Sequence, residues 1–113
     1  MTVVKISVLG VEYSVMFGNR EELELDSERD GECHLFNKTV KVLLEKDDVC
    51  ICESDVNERA KEILTHELLH AFLCESGYDI SEDEEERLCN WYMRVWKRLD
   101  NCIYEVLDKS LLI

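Results

Sequence analysis

The second half of the chain has a helical pattern that is interrupted once, at Ser76-Gly77. A capping-box signature at Asp55 predicts a first helix that runs to about Glu75, where Ser76-Gly77 supplies the stop. A second signature at Ser81 predicts another helix that runs to about Asp108. Because the connection between them is short, we expect the two helices to pack side by side as a hairpin.

The first half of the chain has the pattern of short β-strands. β-Branched and aromatic residues cluster in segments separated by Gly10 and by Asn37-Lys38, which predicts two antiparallel hairpins. The predicted strands are Val3–Leu9 with Val11–Phe17, and Glu32–Phe36 with Thr39–Leu44. Arg20–Asp30 is predicted to be a loop with at most a short helical turn, and Val49–Cys52 a short edge strand or a loop. The predicted fold class is α+β, in one domain spanning residues 1–113.

Charge and hydropathy exclude several classes of partner. The chain carries 26 acidic and 13 basic residues, a formal net charge of -13, so a phosphate-backbone partner and a nuclease function are disfavoured. No segment has the roughly 18 to 20 apolar residues that a membrane span requires. The first residues lack the pattern of a signal peptide, so we expect a cytoplasmic protein that binds neither nucleic acid nor membrane.

Six cysteines are present, at positions 33, 50, 52, 74, 89 and 102. None of them forms a C-x-x-C pair. We interpret them as reduced, small, buried hydrophobic residues, because a cytosolic protein seldom keeps disulfides.

The first predicted helix contains the pattern H-E-x-x-H, formed by His66, Glu67 and His70. Residues four apart project from the same side of a helix, so two neutral imidazoles at this spacing can bind one metal ion together. Glu67 then lies beside the open coordination position, where a carboxylate can accept a proton from a metal-activated water. The surrounding residues are apolar, and polar groups buried among them need a partner such as a metal ion.

A catalytic zinc site usually has a third protein ligand, and the residues leave its identity open. Cys74 lies a full turn beyond His70 and is too far along the helix, so core packing is the better interpretation of it. The acidic run Glu82–Glu86 at the start of the second helix can return alongside the first. The apolar stripe of the second helix, projected back, favours Glu85 in this run.

These motifs together resemble the zincin metallopeptidases of the gluzincin type, and more narrowly the small ImmA/IrrE-like and phage-encoded metallopeptidase-like proteins. Those proteins have H-E-x-x-H on one helix and E-x-x-A-N-x-F on the next. Glu86, Cys89, Asn90 and Tyr92 fit the second pattern, with Cys for Ala and Tyr for Phe. The resemblance, which spans about residues 31–96 and includes the second hairpin, implies Glu86 as the third zinc ligand, with Glu85 held in reserve.

The resemblance implies a zinc-dependent metallopeptidase that hydrolyses peptide bonds in a peptide or protein substrate, with Glu67 as general base. The alternative is a non-catalytic, zinc-stabilised interaction module derived from such an enzyme, because the short chain leaves little room for a substrate-binding subdomain. His34, Tyr78 and Tyr92 are candidates for stabilising the oxyanion, although their spacing selects none of them. The second hairpin is expected to provide an edge strand that pairs with an extended substrate.

Overall fold

The structure, a computed structural model, describes residues 1–109 and contains seven secondary-structure elements. The strands are β1 (Thr2–Val8), β2 (Val11–Gly18), β3 (Gly31–His34) and β4 (Thr39–Leu43). The helices are α1 (Arg20–Leu23), α2 (Glu53–Ser76) and α3 (Glu82–Lys109). The α+β fold class predicted from the sequence is confirmed.

The four strands form one sheet in the order β1-β2-β4-β3. β1 pairs with β2, and β3 with β4, in the antiparallel arrangement that the sequence predicts. The sheet as a whole is mixed, because the two hairpins join through β2 and β4, which pair in parallel with Ser14 opposite Thr39. Local patterns determine each hairpin, whereas this central pairing is formed between the two hairpins.

Several predicted boundaries are also corrected. Leu9 and Gly10, both with positive φ, form the turn between β1 and β2, so Leu9 is not part of the strand. The turn between β3 and β4 spans residues 35–38 rather than two residues. Helix α2 begins two residues before Asp55, at Glu53, with Cys52 in the N-cap position and no side-chain cap. Residues 49–52 form no strand.

The core lies between one face of the sheet and α2. Inward residues alternate along the strands with period two, as Tyr13 and Val15 of β2 and Val40 and Val42 of β4 show. They pack against apolar residues of α2, among them Ala60, Ile63, Leu64, Leu68 and Ala71. This packing holds α2 across the sheet, and α3 packs against the opposite side of α2.

Helix α3 packs beside α2 over its first half. Cys89 is the only buried residue of α3 in its described span, and the Ser81 hydroxyl caps the helix by accepting from the Glu84 amide at 3.2 Å. The aromatic residues Trp91, Tyr92 and Tyr104 of this helix are exposed.

The cysteines of the described residues are all free thiols. Cys50 and Cys89 are buried and Cys33 is half-buried, but Cys52, Cys74 and Cys102 are exposed, which corrects the expectation that all six are buried. Cys74 therefore does not fill a core position. Within residues 1–109, no helix combines the length and the apolar composition that crossing a membrane requires.

Candidate metal centre

Helix α2 presents the residues of its H-E-x-x-H pattern on two adjoining sides. Glu67 faces the sheet and is 8% exposed, while His66 and His70 are half-buried and face α3. Their side-chain donor atoms all lie within 4.8 Å of one another. The helical spacing therefore brings the three side chains to one point, as the sequence predicts.

Glu86 of α3 lies between the two imidazoles. Its Oε1 is 2.8 Å from Nε2 of His66, and its Oε2 is 3.2 Å from Nε2 of His70. The two Nε2 atoms are 3.3 Å apart. One carboxylate group and two ring nitrogens, from two helices, thus form a small triangle of groups, in which each nitrogen meets a different carboxylate oxygen.

Two of the three separations in this triangle are close to those between neighbouring ligands of tetrahedral zinc. Zinc–nitrogen bonds of about 2.0–2.1 Å place neighbouring tetrahedral ligands roughly 3.3–3.4 Å apart. The separations from His70 Nε2 to His66 and to Glu86 match this value, and the separation between His66 and Glu86 is shorter. The donor set also has the chemistry that zinc prefers, since imidazole and carboxylate are common ligands of catalytic zinc.

Glu85 occupies a different position from Glu86. Its Oε2 lies 2.7 Å from Nδ1 of His70, on the side of the ring that faces away from the triangle. A neutral His70 that donates its Nδ1 proton to this carboxylate keeps a free lone pair on Nε2. Glu85 therefore contacts the outer nitrogen of the His70 ring, and Glu86 is the carboxylate that approaches the Nε2 atoms of both histidines.

Burial sets the protonation of the site. The pKa of Glu67 is raised to about 7, chiefly by desolvation, with His70 opposing the shift and Glu86 contributing to it. Desolvation also lowers the pKa of His66, although the Glu86 carboxylate opposes this shift. The neutral imidazole that a metal requires is thus favoured at His66.

A cavity of about 480 Å³ opens over these side chains. It is bounded on one side by His66, Glu67 and His70, and on the other by Arg29, Gly31, Glu32, Cys33 and Leu35. Gly31 makes the close approach possible, because a Cβ there would lie 2.4 Å from Ile63 Cγ2 and 3.2 Å from Glu67 Cγ. The edge strand β3 thus forms one wall of the cavity.

The sequence-based candidates for the oxyanion role do not line this cavity. Tyr78 and Tyr92 are exposed, and His34 donates from Nε2 to Glu32 Oε2 at 2.6 Å. Among the described residues, Arg29 is the only lysine or arginine of the cavity wall. Sequence reasoning missed Arg29 because it lies in a charged loop without any periodic signal.

The loop that carries Arg29 is held by Arg20 of α1. One guanidinium nitrogen donates to the carbonyl oxygens of Asp26 and Arg29, and the other donates to Asp30 Oδ1 at 2.9 Å.

Comparisons of this chain with protein-family models, with curated proteins and with solved structures gave no match. Functional inference therefore depends on the geometry and chemistry of the site.

Proposed function

We propose that this chain is a zinc-dependent metallopeptidase of the gluzincin type, in which His66, His70 and Glu86 hold the zinc ion. The observation that supports this most is the convergence of the Glu86 carboxylate on both Nε2 atoms, at 2.8 and 3.2 Å. The buried carboxylate of Glu67 lies beside this triangle, where a structural zinc site would have no use for a base. The cavity in front of the residues gives a substrate access to them.

The residues divide the chemistry among themselves. Zinc, when bound here, would supply a water of lowered pKa and polarise the scissile carbonyl. Glu67 accepts a proton from the attacking water and delivers it to the departing amine, as a general base and then a general acid. Glu85 holds the His70 ring in its ligating orientation through the contact of 2.7 Å to Nδ1.

Strand β3 is suited to bind an extended substrate. It is the last strand of the sheet order, so one of its edges pairs with β4 while the other pairs with no strand of the described residues. Gly31, Glu32 and Cys33 of this strand line the cavity. An extended peptide that adds to this edge by backbone hydrogen bonds would run directly past Glu67.

Arg29 is the best-placed cation for the oxyanion. It reaches the cavity from the loop before β3, and its backbone is fixed by Arg20. Its side chain is 63% exposed and its Nε lies 3.8 Å from Asp26 Oδ2, so it can turn from this contact towards a developing oxyanion, which a cationic donor stabilises. We expect Arg29→Gln to lower kcat/KM on the order of tenfold or more while zinc affinity is unchanged.

The test is hydrolysis of a fluorogenic peptide library by zinc-loaded protein. Glu67→Gln should retain zinc and lose activity by at least about a hundredfold, because general base catalysis is removed. Glu62→Gln, an exposed change on the same helix, is the matched control and should leave activity unchanged. If the native chain and Glu67→Gln both hold zinc and are equally inactive, the enzyme proposal fails in favour of a non-catalytic zinc-stabilised module.

A further inference from the structure

The second half of α3 extends beyond the rest of the molecule. Lys97 Nζ lies 3.8 Å from Glu58 Oε2, near the beginning of α2, and every residue from position 97 to position 109 is exposed. An isolated helical segment shorter than roughly 12–15 residues is marginal in water without tertiary packing. This part of α3 therefore lacks the packing that usually stabilises a helix of its length.

The side of α3 that continues into this exposed segment is strongly apolar, and we call it the distal stripe. The distal stripe consists of Tyr92, Val95, Leu99, Cys102, Ile103 and Val106. Tyr92, Leu99 and Val106 recur every seven residues, and Val95 and Cys102 form the second series of a heptad pattern. Leu99, Ile103 and Val106 are 58%, 47% and 66% exposed, whereas a heptad seam is normally buried against another helix.

Two charged residues beside the distal stripe indicate that an identical helix could cover it. Arg98 and Glu105 lie one heptad apart at the same flanking position and have opposite signs. Glu105 is paired with Lys109 at 2.9 Å and remains largely exposed, whereas Arg98 has no ion pair within residues 1–109. In an antiparallel pair of identical helices, residues at this flanking position face each other across the interface. Arg98 of each copy would then face Glu105 of the other.

We propose that two copies of this chain associate through their distal stripes, with the α3 helices antiparallel about a two-fold axis near residues 100–101. A single interface of this kind places Arg98 against Glu105 twice and buries the exposed leucine, isoleucine and valine side chains. A parallel pairing would place Arg98 against Ile103 instead, and would leave the charges unmatched. The two copies of Glu86 then lie roughly 40 Å apart along the helices, so each cavity stays open.

Sedimentation velocity on the full chain at about 100 μM tests this proposal, because a Kd in the micromolar range would make the dimer dominant. Leu99→Glu combined with Val106→Glu should give a monomer that stays folded and loses at most the helical circular dichroism of the distal part of α3. Val49→Glu is the matched control, since it also adds a carboxylate at an exposed apolar position and should leave the dimer intact. A native chain that sediments as a monomer, or a dimer that survives both stripe substitutions, would overturn the proposal.

A charge exchange tests the antiparallel arrangement without altering apolar surface. Arg98→Glu alone and Glu105→Arg alone should each raise the dimer Kd about tenfold, because each change creates two like-charge contacts. The double variant, with the charges exchanged, should return the Kd to within about threefold of the native value. Failure of the double variant to recover would exclude this register. Capture of a different partner by a native monomer would likewise count against self-association.

Discussion

Glu85 Oε2 lies 2.7 Å from His70 Nδ1, while the next residue along α3 faces the opposite nitrogen of the same ring. Neighbouring positions on a helix are separated by about 100°, so two consecutive carboxylates can reach two sides of one imidazole only if the ring is inserted between them. His70 is inserted in this way. The two glutamates are chemically identical, but Glu85 contacts Nδ1 of His70 and Glu86 contacts Nε2.

The first prediction separates these two tasks. Glu86→Gln should abolish tight zinc binding, because it removes the charged ligand, whereas Glu85→Gln should weaken binding by about 10- to 100-fold, as loss of an orienting carboxylate does. Competition with a chromogenic chelator measures both affinities. Glu84→Gln, an exposed change in the same acidic run, should have no effect. A larger loss for Glu85→Gln than for Glu86→Gln would reverse the assignment.

The second prediction concerns the contact between β3 and α2. Gly31→Ala should destabilise the protein by about 1–3 kcal/mol, because its Cβ would overlap Ile63 and would also press on Glu67. Urea unfolding measures the loss. Gly18→Ala is the matched control, since its Cβ would meet only the flexible side chains of Met1 and Glu22. Equal stability of the two variants would show that β3 does not approach α2 so closely.

The third prediction uses the loop before α2. Asp47 accepts from the amides of Val49 and Cys50 and from Arg59, and these bonds hold the pKa of Asp47 at about 2, below its usual value of 3.8. The folded state therefore gains stability from ionised Asp47 above pH 3.8, and this gain is lost as the pH falls towards 2. Asp47→Ala should be less stable than native protein at pH 7, and the difference should shrink as the pH falls from 3.8 towards 2.

Urea unfolding at several pH values measures this linkage. Asp48→Ala is the control variant. Asp48 is exposed, and the hydrogen bonds of this loop are accepted by Asp47 instead. A stability difference between native protein and Asp47→Ala that stays constant from pH 7 to low pH would contradict the role of the charge.

The fourth prediction concerns thiol accessibility. Cys52, Cys74 and Cys102 are exposed and should react rapidly with iodoacetamide in the native protein. Cys89 is fully buried, and burial raises its pKa to about 12, so it should react only after unfolding. Mass spectrometry of the digested protein gives the labelling of each site. Comparable native-state labelling of Cys89 and Cys102 would contradict the packing of α3 on α2.

Local sequence signals predicted the elements and the centre of the site. Clusters of β-branched and aromatic residues around Gly10 and Asn37-Lys38 identified the strands, Gly77 ended α2, and the four-residue step between His66 and His70 placed both rings on one side. These features depend on backbone geometry within a few residues. They can therefore be inferred without knowing the tertiary structure.

Features that depend on distant contacts could not be inferred in this way. The parallel pairing of β2 with β4 and the placement of Arg29 in the cavity wall both arise from packing between separate segments. The choice between Glu85 and Glu86 depends on the rotation of α3 against α2. The apolar stripe of α3, projected back, favours Glu85, but its second half does not pack on this chain's core and so does not set the rotation of the helix.

Zinc K-edge X-ray absorption on protein loaded with one zinc ion tests the central claim most directly, because six cysteines offer a competing set of ligands. We expect nitrogen and oxygen neighbours at about 2.0–2.1 Å, with imidazole scattering from two rings and no sulfur shell. A sulfur shell at about 2.3 Å would contradict the assignment of His66, His70 and Glu86 as the ligands.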